Sequence, residues 1–266
     1  MFGFLLPWAI SFLVIEGFML CLWAVYLLFR NVSLVDIGWG VAFIFSVIAA
    51  LFFEEGYFWR KLLLSLLVFA WSGRLIYYLS GRFQPGRDDP RYDKILSRSS
   101  FKGPLSAKVL CLYLLQGAIA AVLALPFILI GGNSTPHFSP EEIYGVLIWA
   151  VGFAGLSIAD GQLAHFKANP QNEKLVCRSG LWRYSRHPNY FFEWIVWIGY
   201  AAIAFSAPFG WLGVISPLLM FYLLTRVSGV PITEEVLLQT KGDTYKQYQA
   251  ETHAFFPWFY KETKTK

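Results

Sequence analysis

The stretch Arg183-Tyr-Ser-Arg-His-Pro-Asn-Tyr-Phe-Phe-Glu packs cations, hydroxyls and an amide directly ahead of the apolar run Trp194 to Ser206. Proline suits the start of a helix, because its missing N–H would be unpaired there in any case. Arg183, Arg186 and His187 would then surround a helix N-terminus, a site suited to an anion such as a phosphate. Asn189, Tyr190 and Glu193 continue the polar face into the helix. The chemistry this arrangement suggests is the grip on a phosphate-bearing cofactor; ordinary basic anchoring against lipid headgroups is the competing reading.

A charge at mid-bilayer costs at least ~2.5 kcal/mol, so ionisable residues inside apolar blocks are functional candidates. Glu16, Asp36, Arg74, Asp160 and Glu193 are such residues. Asp36 lies in Ser-Leu-Val-Asp-Ile-Gly-Trp-Gly, where Gly38 and Gly40 allow close approach of a helix or ligand. A neutral carboxyl there would donate a hydrogen bond to a ketone oxygen, with Trp39 and Trp71 lining an apolar slot. An ion pair with Arg74, and tryptophans serving as interface anchors, are the alternatives. Asp160, in Ile-Ala-Asp-Gly-Gln-Leu, could accept hydrogen bonds from ribose hydroxyls or a carboxamide, with Lys167 meeting phosphate; Asp-Gly is equally a helix stop. Toward the end of the chain, Pro231-Ile-Thr-Glu-Glu leads an amphipathic helix, a break near Gly242 and a second helix. That second helix carries Tyr245 and Tyr248, which could flank an adenine or rest on headgroups. His137, His165, His187 and His253 form no spaced ligand set, and no metal is expected.

The elements that must hold these residues are membrane spans. Of the 266 residues 56% are hydrophobic and 15% charged, and at ~20 residues per crossing seven spans are expected. They are Phe4–Phe29, Leu34–Phe53, Leu62–Leu79, Ala107–Ile130, Ile143–Ala159, Tyr190–Phe205 and Trp211–Val227. The expected fold class is all-α, one integral membrane domain over residues 1–260, with 261–266 a frayed tail. Seven Lys and Arg residues lie from Arg82 to Lys108, none in Gly131–Glu142, and five from Lys167 to Arg186. This alternation places the N-terminus outside and the C-terminus in the cytoplasm. The net charge of +5 follows from those loops and speaks for an anionic leaflet or cofactor rather than nucleic acid. Cys21, Cys111 and Cys177 show no disulfide or metal spacing.

Gly180-Leu-Trp-Arg-Tyr-Ser-Arg-His-Pro-Asn-Tyr-Phe, Ala159-Asp-Gly-Gln-Leu and the terminal Tyr-x-x-Tyr followed by Phe-Phe-Pro together resemble the steroid 5-alpha-reductase superfamily. Val35-Asp-Ile-Gly-Trp-Gly, Gly73-Arg-Leu and Asp89-Pro-Arg-Tyr also fit, and the likeness is to a bacterial membrane branch covering nearly the whole chain. The resemblance implies seven transmembrane helices, an NADPH pocket facing the cytoplasm of a bacterial inner membrane, and a cavity for a 3-oxo-4-ene steroid or similar enone lipid. Cofactor residues would be Asp160, Lys167, Arg186, His187, Asn189 and Tyr190, joined by Arg183, Tyr184, Tyr245 and Tyr248. Asp36 corresponds to the substrate-orienting glutamate, and Trp71 takes the place of the tyrosine partner if Arg74 is the matched arginine. Asp36, Arg74 and Glu193 form the catalytic set. Arg-His-Pro-x-Tyr with Glu-Glu and Tyr-x-x-Tyr is also similar to isoprenylcysteine carboxyl methyltransferase-like enzymes, which bind S-adenosylmethionine. A non-catalytic sterol or lipid binder is the third reading.

Overall fold

A computed structural model describes residues 3–81, 83 and 88–259. The expected frayed tail, 261–266, lies outside the described residues, as do Arg82 and Arg87 of the basic loop. Among the described residues every regular element is helical, in keeping with long apolar blocks that lack strict alternation. The α-helices are α1 (Leu5–Phe29), α2 (Leu34–Phe53), α3 (Phe58–Ser80), α4 (Pro90–Ser97), α5 (Leu105–Leu123) and α6 (Leu125–Gly132). They continue with α7 (Pro140–Ala168), α8 (Pro188–Ala204), α9 (Ile215–Tyr222), α10 (Val230–Lys241) and α11 (Asp243–Glu251).

Six helical stretches among the described residues are long and apolar enough to cross a membrane: Leu5–Phe29, Leu34–Phe53, Phe58–Ser80, Leu105–Gly132, Pro140–Ala168 and Gly210–Lys241. The expected span Tyr190–Phe205 becomes α8, of 17 residues. At ~1.5 Å per residue that is ~25 Å of helix, short of a hydrocarbon core of ~30 Å. The expected single span Ala107–Ile130 is interrupted at Ala124, between α5 and α6, where Pro126 has no N–H to continue the ladder. Conversely, Asp160-Gly161 does not end α7, which runs on to Ala168.

Contacts divide the chain into two compact units. One comprises Met1–Gly145 with Tyr200–Ser216, the other Val146–Gly199 with Pro217–Lys266. In the first, Phe43 meets Trp71 and Phe127 edge-on at 5.1 and 6.0 Å, and Phe127 meets Tyr200 at 4.8 Å. The same unit buries Arg60 and Glu142, each 1% exposed. Both nitrogens Nε and Nη2 of Arg60 donate to the Glu142 carboxylate. Nη1 donates to the carbonyls of Asn133 (2.7 Å) and Thr135 (2.8 Å), and Nη2 also to that of His137 (2.8 Å). All N–H donors of the guanidinium are thereby satisfied. Glu142 accepts Ser139 N–H at 2.8 Å while its own N–H donates to Ser139 Oγ, a reciprocal cap that starts α7.

In the second unit, α7 and α8 approach closely at glycines. A Cβ on Gly199 would lie 2.7 Å from the Trp149 backbone, and one on Gly152 2.7 Å from Val196 N. Small residues permit this contact in an apolar solvent, where packing rather than water exclusion holds helices together.

Candidate functional site

The loop from α7 to α8 is built from both its ends. Gly180 has a positive φ of +59°, and a Cβ there would sit 2.2 Å from Gln162 Nε2. Gln162 Oε1 instead accepts Leu181 N–H at 3.0 Å, and Trp182 Nε1 donates to Ala159 O at 2.9 Å. Ser185 accepts His187 N–H at 3.1 Å and donates to Phe255 O at 2.9 Å. Tyr248 donates to the carbonyls of Trp182 and Ser185. Loop, α7 and the C-terminal segment therefore share one hydrogen-bonded framework.

At its centre lies Glu234 of α10. One carboxylate oxygen accepts Arg186 Nε at 2.7 Å and contacts His187 Nε2 at 3.2 Å; the other accepts Gln249 Nε2 at 2.8 Å. Arg186 Nη1 donates to the carbonyls of Gln249 (3.1 Å) and Thr252. Burial lowers the His187 pKa below its ordinary 6.5 against the opposing pull of Glu234. The charge of Arg186 adds a smaller push in the same direction. The His187 ring stacks on Tyr190 at 5.2 Å and 4°, and the Tyr190 hydroxyl meets Thr233 Oγ1 at 3.1 Å. Arg186 borders a cavity of about 180 Å³ lined also by Gln249, Ala250, Thr252, His253 and Ala254.

Asn189, in the first turn of α8, spends its amide on the buried Asp160, with Nδ2 donating to Oδ1 at 3.1 Å. Its Oδ1 is buried without a hydrogen-bond partner. Lys167, Arg183 and Tyr184 are exposed. Tyr245 and Tyr248 are each 1% exposed, with ring centroids 6.0 Å apart, and Arg178 covers the Tyr248 ring at 5.4 Å. In this packing the two rings are interior groups rather than an open clamp. Burial raises both hydroxyl pKa values. Glu193 accepts Trp197 Nε1 at 2.9 Å within α8.

The first unit holds the other candidate residues. Asp36 Oδ2 pairs with Arg91 Nη2 at 3.1 Å, and its Oδ1 accepts the Tyr92 hydroxyl at 2.6 Å. Asp36 is thus an acceptor in an ion pair, where a neutral carboxyl donor was the expectation; the hydroxyl donor beside it is Tyr92. Burial first, then the charge of Asp36, raises the Tyr92 pKa. Asp89 caps α4 by accepting Arg91 N–H at 3.0 Å, and Asp88 accepts Val32 N–H at 2.6 Å. The Arg74 guanidinium lies over the Tyr78 ring at 5.9 Å. Trp71 is buried against Phe43, and the indole nitrogen of Trp39 is buried without a hydrogen-bond partner. Among the described residues no group of His, Cys, Asp or Glu could hold a metal ion.

Nothing in the sequence marks a role for Glu234, Gln249, Arg91 or Tyr92. Two of the short motifs, Thr-Glu-Glu and Asp-Pro-Arg-Tyr, contain Glu234, Arg91 and Tyr92, but motif membership does not reveal long-range partners.

Residues 22–252 match the family described as "Protein of unknown function (DUF1295)". The chain belongs to the DUF1295 family. Its domain is that of the steroid 5-alpha-reductase-like superfamily, which the motifs at Ala159–Leu163 and Gly180–Phe191 and the terminal Tyr-x-x-Tyr together resemble. The DUF1295 match takes in Asp36, the α7–α8 loop and Glu234. No curated protein and no solved structure matches the chain.

Proposed function

We propose that this DUF1295 protein is a membrane-embedded, NADPH-dependent reductase of a conjugated enone lipid, with a 3-oxo-4-ene steroid as one candidate substrate. Family membership and the apolar helices support a membrane enzyme of this superfamily. The observation that carries the cofactor assignment is Asn189. Its Oδ1 is a buried acceptor with no partner, beside the Asp160 carboxylate, and leaving such a group unpaired costs about 1–3 kcal/mol. A ribose hydroxyl or a carboxamide N–H would satisfy it, so these residues fit the cofactor.

NADPH would supply the hydride, delivered to the β carbon of the enone, and a proton would complete the α carbon. Asp160 and Asn189 would orient the donor, while Arg186, held by Glu234, would present its remaining guanidinium edge to a phosphate. In the first unit, an enone oxygen that took the place of Asp36 Oδ1 as acceptor of the Tyr92 hydroxyl would be polarised by it, with Asp36 kept in its pair with Arg91. In this reading α8 is a short seventh crossing, the N-terminus lies outside and the C-terminus in the cytoplasm of a bacterial inner membrane.

The test is turnover by the purified protein in detergent with a panel of enones, read from NADPH absorbance. Enone-dependent oxidation of NADPH is expected. Binding of S-adenosylmethionine in place of NADPH would turn the assignment to a methyltransferase, and sterol binding with neither cofactor would turn it to a lipid carrier.

A further inference from the structure

After α11 the chain turns back along the loop that precedes α8. His253 O accepts Arg186 N–H at 2.9 Å, Ala254 O and Phe255 O accept the Ser185 hydroxyl at 3.3 and 2.9 Å, and Trp258 N–H donates to Tyr184 O at 2.9 Å. Phe255 and Phe256 then settle among Phe191 and Trp194 of α8 and Phe221 of α9, with ring centroids 5.4–6.1 Å apart. α9 belongs to the apolar stretch Gly210–Lys241, long enough to cross a membrane. The segment is therefore laid against α8 and against α9, part of a stretch apolar enough to sit in lipid.

Its other side is open. Phe256, Trp258, Phe259 and Tyr184 are 52, 64, 77 and 42% exposed, and the Trp258 and Phe259 rings lie 6.2 Å apart. A strip of large aromatic side chains beside apolar helices is more than scattered surface apolarity. Arg183 is exposed next to it, and the sequence goes on with Lys261, Lys264 and Lys266. Aromatic rings with adjoining cations suit the boundary layer of an anionic bilayer, where amphipathic rings settle at headgroup depth and lysines meet lipid phosphates.

We propose that Tyr184, Phe256, Trp258 and Phe259 form an interfacial foot that seats on an anionic lipid surface, and that its backbone hydrogen bonds clamp the Arg186 loop to that surface. Continuity with the apolar stretch that holds α9 and the basic flank argue for lipid over a protein partner. The inference does not depend on the reductase reading.

The full-length protein is placed in nanodiscs of phosphatidylcholine alone or mixed with phosphatidylglycerol. A fluorophore on Phe259→Cys, with Cys21, Cys111 and Cys177 replaced by Ala, is quenched in turn by doxyl groups at headgroup depth and by aqueous iodide. Strong doxyl and weak iodide quenching is expected, against the reverse for a probe at the exposed Lys174→Cys. Iodide quenching equal to that control overturns the proposal, and so does shielding from both quenchers, which would mark a protein cover such as a second copy. Chymotryptic cleavage after Trp258 or Phe259 provides a readout on the unaltered chain. It should slow about fivefold or more when anionic lipid is present; equal rates in the two discs overturn the anionic preference.

Discussion

Two arginines, each bound to a glutamate from a distant helix, make the sharpest contrast in the molecule. Arg60 and Glu142 are each 1% exposed, the guanidinium has every donor engaged, and the rings of Tyr57 and Phe138 flank it at 5.8 and 5.6 Å. Arg186 and Glu234 are 10 and 14% exposed, share the carboxylate with His187, and border a cavity. Around the first pair no donor is left over for a ligand. Near the second, Asn189 Oδ1 and His253 Nε2 are buried without partners. A closed charge network in an apolar solvent is a structural device, because unpaired groups there are too costly to leave open. An open one retains groups that a ligand can complete.

The largest effect should come from the closed pair. Arg60→Met should cost about 3–5 kcal/mol, since it strands the Glu142 charge, seen as a large drop in melting temperature in detergent. The double variant Arg60→Met with Glu142→Leu should recover most of it. A double variant as unstable as the single would mean that the arginine's carbonyl contacts, rather than charge balance, hold this end of the unit. Next in size is Glu234→Gln, which takes the counter-charge from Arg186 and should cost about 1.5–3 kcal/mol and weaken NADPH binding with it. Undiminished stability would show that the network is incidental.

Asn189→Ala should separate binding from folding. Losing one internal hydrogen bond costs about 1 kcal/mol, while NADPH affinity should fall about tenfold. The smallest expected effect is in pH dependence. His187 is depressed below its ordinary 6.5, so the unfolded chain binds its proton first. Its contribution to stability is complete above 6.5 and is lost as pH falls through the lower folded value. Subtracting the melting profile of His187→Gln from that of the parent should leave this acid-side slope; a flat difference would mean that folding does not shift the His187 pKa, and a slope of opposite sign above 6.5 that Glu234 raises it.

Local signals in the sequence reached a definite distance. Pro188 marked the start of α8, and the break at Gly242, whose φ is +55°, was legible because little but glycine accepts that backbone. Pro126 carried the interruption of the α5–α6 stretch, yet hydropathy averaged over the block hid it. Helical spacing put Tyr245 and Tyr248 on one face but could not say what covers that face. Pairings such as Asp36 with Arg91 and Tyr92, or Glu234 with Arg186, His187 and Gln249, join residues from separate segments. Nothing in the local pattern of either partner encodes them, and a nearer candidate such as Arg74 competes for the reading.

The most direct test of the central claim, that the open network is a cofactor site for NADPH, is calorimetric titration of NADPH into the purified parent protein and Asn189→Ala in the same detergent. The parent should bind NADPH in preference to S-adenosylmethionine, and the variant should bind it about tenfold more weakly with a melting temperature lowered by only about 2–4 °C. No NADPH binding by the parent, or equal affinity in the two proteins, would contradict the account.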